Sequence, residues 1–136
     1  MKTIKEHIIA ALEEKGLKYE IIADEVISVT IGTDVGVAHT AFITNEEKNF
    51  FWIRAQGPCH IPEEKREKVY PLLNSINEGL LFGTIFVDQD GDIVLTYACN
   101  VDDGAINTTI ILAPWAALLK NIEETYDEIM RAAYAD

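Results

Sequence analysis

The chain has 136 residues, 49% of them apolar, with 23 acidic side chains against 11 basic ones and a formal charge of −12. One domain is expected at this length, burying roughly two thirds of its unfolded surface, and the apolar content argues against a disordered chain. The acid excess argues against non-specific nucleic-acid binding and against an anionic membrane surface, since both need a basic face.

No basic stretch precedes a short apolar run, and no apolar run reaches membrane-spanning length, so neither a signal peptide nor a transmembrane helix is read. Cys59 and Cys99 do not make a disulfide framework, which makes the cytoplasm the expected compartment.

The first helix is signed by Thr3 and Glu6 at capping-box spacing. Ile4, Ile8, Ala11 and Leu12 follow at helical spacing, and Gly16 is a suitable terminator. Strands come next. Leu17, Tyr19 and Ile21 alternate with Lys18, Glu20 and Ile22, Asp24-Glu25 breaks the run, and Ile27, Val29 and Ile31 alternate with Ser28 and Thr30. Gly32 to Gly36 reads as a turn, Val37 to Thr44 as a strand, and Asn45 to Asn49 as a polar loop. Phe50 to Gln56 is strongly β-prone, and Gly57-Pro58 is expected to break the sheet. Three or four antiparallel strands therefore precede the second helix.

Pro62 sits in the first turn of that helix, and Glu63, Glu64 and Glu67 suit its positive end. Val69, Leu72, Leu73 and Ile76 form its stripe, Pro71 predicts a kink, and Gly79 ends it. Phe82 to Val87 and Ile93 to Cys99 flank the Asp90-Gly91 hairpin turn. A long last helix runs from Ile106 to Ala133, where Pro114 predicts a kink or a late start. The whole chain, residues 1–136, reads as a single α+β domain: an antiparallel sheet with helices packed on one face.

Catalytic signatures are weak. Asp88, Asp90 and Asp92 open like a calcium loop, but Gly91 falls fourth and the twelfth position is Cys99 rather than glutamate. Cys59-His60, with His39 and Cys99, lacks zinc-ligand spacing. A nucleophilic Cys59 with His60 or His39 as base has no accompanying oxyanion loop. The expectation is no enzyme, no cofactor and no metal, with an enzyme or ligand-binding protein using Cys59, His60 or His39 as the alternative. Phe50, Phe51, Trp52 and Ile53 are different. Strand alternation sends Phe50 and Trp52 one way and Phe51 and Ile53 the other, so both faces are apolar. One face is core. The other is covered by a helix or by a second chain.

The order of these pieces resembles the YbjN family. The likeness is carried by the proline-led charged helix, Leu72-Leu-Asn-Ser-Ile-Asn77, Phe82-Gly-Thr-Ile-Phe-Val-Asp88, Asp90-Gly-Asp92 and Asp102-Asp-Gly104 before the last helix. The resemblance implies a fold like that of class I type III secretion chaperones, with an α-β-β-β-α-β-β-α core, a tendency to dimerise and no enzyme activity. Related secretion chaperones wrap an extended stretch of a client. Pro71, Pro114 and a possible fourth early strand depart from that pattern.

These readings make the chain a protein-binding or chaperone-like regulatory module and a homodimer. Its candidate contact residues are Phe50, Phe51, Trp52, Ile53, Leu72, Leu73 and Ile76, and its partner is a protein rather than nucleic acid or membrane. The charge is uneven: residues 81–136 hold 10 acids against 2 bases, whereas 46–80 hold 6 against 5. Solubility explains this, or a basic client steered to the acidic part.

Overall fold

Thr3 caps the first helix as its spacing predicts, and in the computed structural model, which describes residues 2–101 and 106–135, the capping box with Glu6 is complete. Helix α1 spans Ile4–Glu14 and stops at Gly16, whose φ of 68° suits glycine. The Glu46 carboxylate adds a second cap from afar, accepting from the backbone N–H of Ile4 at 2.9 Å and Lys5 at 3.1 Å.

Four strands follow: β1 Glu20–Ala23, β2 Val26–Thr33, β3 Gly36–Asn45 and β4 Phe50–His60. A short 3-10 turn, Glu63–Lys65, leads into α2, Arg66–Gly79; then come β5 Thr84–Val87, β6 Asp92–Asn100 and α3 Thr108–Tyr134. The strands form one antiparallel sheet in the order β1-β2-β3-β4-β6-β5. The Asp102-Asp-Gly104 step lies outside the described residues.

Some strand boundaries differ from the sequence reading, while the helices run past their prolines as read. Leu17 and Tyr19 are not strand residues; they pack on the core, and only Glu20–Ala23 pairs with β2. Gly57-Pro58 does not end β4. Pairing with β6 resumes at His60↔Asp92 after Gln56↔Val94, so the extra residues are taken up in a bulge, where proline's missing N–H is tolerated. Pro71 and Pro114 lie inside helices that continue past them. Pro71 is on the exposed side of α2, where water can serve the carbonyl that proline leaves without its donor.

The buried residues of all three helices join one core with alternate residues of the sheet: Ile27 and Val29, Ala38 and Phe42, Phe51 and Ile53, Ile93 and Leu95. All helices therefore cover the same sheet face. Trp115 of α3 anchors that layer, edge-on to Phe42 and donating its indole N–H to Thr40 Oγ1 at 2.9 Å. No helix among the described residues is long and apolar enough to cross a membrane.

Candidate functional site

The second face of the sheet carries the side chains of the other parity; among the described residues Val94 is fully buried there, and the others lie outside the core cluster. Register places Val26, Ile43, Trp52 and Ala98 side by side across four strands. Phe50 lies one row outward between Asn45 and Asn100, and Val94 and Phe86 lie beside Gln56 on the other side. Val26, Ile43, Phe50 and Trp52 are each half-buried. The charge near the middle of this face, Arg54, is paired with Asp88 at 3.2 Å. The result is a largely apolar, nearly neutral strip on a strongly acidic protein.

The predicted contact residues divide between the two faces. Phe50 and Trp52 lie on the bare face, whereas Phe51 and Ile53 are fully buried under the helices. Leu73 is also buried, and Leu72 and Ile76 pack half-buried against the same core. The strand and helix candidates therefore do not form one continuous surface. Ile43, Val26 and Phe86 were missed. Ile43 and Val26 follow from hairpin register once Trp52 is placed, but Phe86 depends on β6 intervening between β4 and β5.

The two ends of the sheet are finished differently. At β5, the Asn77 side chain of α2 pairs with both backbone groups of Ile85: its amide donates to the carbonyl at 3.0 Å and its oxygen accepts from the N–H at 2.8 Å. Asn77 thus occupies the hydrogen-bonding position that a further strand would take. At the other end, β1 is exposed and pairs only with Val26–Ser28, leaving the outer side of β2 from Val29 onward without a strand partner among the described residues.

The residues of the enzyme alternative share no site. Cys59 faces the helix layer, its Sγ 3.2 Å from Met130 Sδ, and burial together with the Asp92 charge pushes its thiol up to about 11. A thiol so held is a poor nucleophile at neutral pH. His60 is exposed and sits 3.1 Å from Asp92, while His39 contacts Thr30 at 3.3 Å. Asp88 is a turn scaffold. Its Oδ1 accepts from the N–H groups of Asp90 and Asp92, and Gly91 between them has a φ of 90°. Burial raises its carboxyl, but those two N–H groups and Arg54 outweigh it and hold the group below its ordinary value.

The YbjN family model, described as "Putative bacterial sensory transduction regulator", matches residues 5–129. Among solved structures, one titled as YbjN, "a putative transcription regulator from E. coli", superposes with a TM-score of 0.65 at 14% identity, covering 89% of this chain and 90% of that one. The ExsC–ExsE complex superposes with a TM-score of 0.66, also at 14% identity, covering 99% of this chain and 100% of its counterpart. At that identity the likeness establishes the α+β fold. The comparison with curated proteins found no match.

Proposed function

The chain belongs to the YbjN family, and from that premise we propose that it is a non-enzymatic, chaperone-like regulatory module that binds a protein partner and acts as a cytoplasmic homodimer. The observation that carries this reading is the bare sheet face, where Phe50, Ile43 and Trp52 stand in adjoining rows with no helix among the described residues over them. An apolar strip of this kind is stabilised by a protein surface laid against it. Its neutrality matters, because two copies of a chain with charge −12 repel except where the contact is uncharged.

A partner has a separate route. An extended segment can add to the β1–β2 edge by backbone pairing, while Asn77 keeps β5 closed. The similarity to a structure solved as the ExsC–ExsE complex, a protein bound to a protein, supports this reading. The acidic excess of residues 81–136 suits a basic client.

Size-exclusion chromatography with light scattering at micromolar concentration tests the dimer. Twice the chain mass is expected for the parent protein and a single chain mass for Trp52→Asp with unchanged circular dichroism. A monomeric parent, or a dimer indifferent to Trp52→Asp, overturns this interface.

A further inference from the structure

Two sulfur side chains far apart in the chain meet under the end of α3. Cys59 lies in the bulge of β4 and is 4% exposed. Its Sγ donates to Met130 Sδ at 3.2 Å. Met130 is half-buried. It packs against the core in the stretch of α3 that buries Ile129 and Ala133, and it also lines an open groove of about 660 Å³ with Asp127, Arg131, Tyr134 and Ala135. From outside, this end of α3 is held to the start of α2 by Lys65 over the Tyr134 ring at 4.8 Å and by Lys68 donating to the Ala135 carbonyl at 3.1 Å.

The sulfurs differ in how an oxidant reaches them. A thiol reacts with a peroxide through its thiolate. Burial and the Asp92 charge push the Cys59 thiol up to about 11, and burial raises the Cys99 thiol as well, so both stay protonated near neutrality. A thioether has no proton to lose, and its lone pair attacks a peroxide directly. Met130 is the one methionine among the described residues, and it lines the groove as well as touching Cys59. Oxidation turns an apolar side chain into a polar one. A sulfoxide oxygen held against an apolar core lacks hydrogen-bond donors, so the oxidised side chain turns toward the groove and lifts off Cys59.

We propose that Met130 is a reversible oxidation site for hydroperoxides and that its sulfoxide uncovers Cys59. In the step, the Sδ lone pair takes the terminal oxygen of the peroxide. The O–O bond breaks, sulfur is oxidised by two electrons, and the peroxide is reduced to water or an alcohol. Methionine sulfoxide reductases reverse the change. In the test, the full chain is treated with hydrogen peroxide and digested with trypsin, which releases Met130 on the peptide Asn121–Arg131. One added oxygen is expected on that peptide before any on the peptides of Cys59 or Cys99, at a rate within about tenfold of free methionine. In a Cys99→Ser background, oxidation is expected to speed iodoacetamide labelling of Cys59 about tenfold, and the reductases for the two sulfoxide epimers are expected to restore the slow rate. Met130→Gln, polar and of similar length, is expected to label as fast as the oxidised chain. Met130→Leu conserves the volume, so it is expected to keep the slow rate and to take up no oxygen on that peptide. A Met130 left intact by peroxide that consumes free methionine overturns the proposal. So does earlier oxidation of either cysteine, an oxidised chain in which Cys59 labels at the parent rate, or equal labelling of the Gln and Leu variants.

Discussion

Strand β4 presents two apolar faces with opposite roles. On one, Phe51 and Ile53 are fully buried against the three helices; on the other, Phe50 and Trp52 stand half-buried beside Ile43 with no helix of the described residues above them. Composition does not separate the two faces, since each is aromatic and β-branched. What separates them is where the helices land, and all three land on the Phe51 side. The inner face is therefore expected to set stability, and the outer face to set association.

The sharpest way to break that contrast is to truncate one residue from each face. Phe51→Ala is expected to cost about 3–5 kcal/mol, read as a lower urea midpoint, because it removes a fully buried ring and leaves a cavity. Trp52→Ala is expected to cost less in the isolated chain while abolishing association by light scattering. Equal losses of stability from the two variants would show that the bare face is not bare in solution. The polar contact under the inner layer comes next. Thr40→Val leaves the buried indole N–H of Trp115 without its acceptor and is expected to destabilise by about 1–3 kcal/mol.

The two sheet edges extend the same comparison. Asn77→Ala removes both hydrogen bonds to Ile85 and is expected to cost about 1–2 kcal/mol. Its more diagnostic effect is on exchange: the Ile85 amide is expected to exchange with solvent faster, while amides in β3 keep their protection. An unchanged Ile85 rate would mean that α2 shields this edge without Asn77.

Much of this arrangement was legible before any coordinates. Thr3 with Glu6, the alternation of Ile27, Val29 and Ile31, and Asp90-Gly91 are local signals, and each element formed where its local chemistry pointed. The four strands before α2 settle the strand count left open between three and four. The failures share a cause. Gly57-Pro58 looked like a terminator because the bulge opposite Asp92 and the packing of Gly57 against Ile122 are tertiary facts. Asn77 as an edge plug and Glu46 as a helix cap join residues far apart in the chain, and no local pattern announces either. The contact surface was half legible: alternation put Phe50 and Trp52 on one face, but it could not say that Leu72, Leu73 and Ile76 belong to the opposite layer.

The smallest expected effect concerns Asp88, where the charged group of the bare face meets the hairpin turn. Its carboxylate holds the Asp90 and Asp92 N–H groups and pairs with Arg54, and together these outweigh the burial that would raise it. A group whose folded pKa is depressed contributes stability above its unfolded pKa, ordinarily about 3.9 for aspartate, and loses it as pH falls through the folded value. Stability is therefore expected to be flat near neutrality on account of this group and to decline only below about pH 4. Arg54→Met removes one of the three partners. The side-chain carboxyl resonance of Asp88 is then expected to titrate at higher pH than in the parent while staying below the ordinary value, because both turn N–H groups remain. An unchanged titration would assign the depression to the turn alone and leave Arg54 as a neutralised charge within the association face.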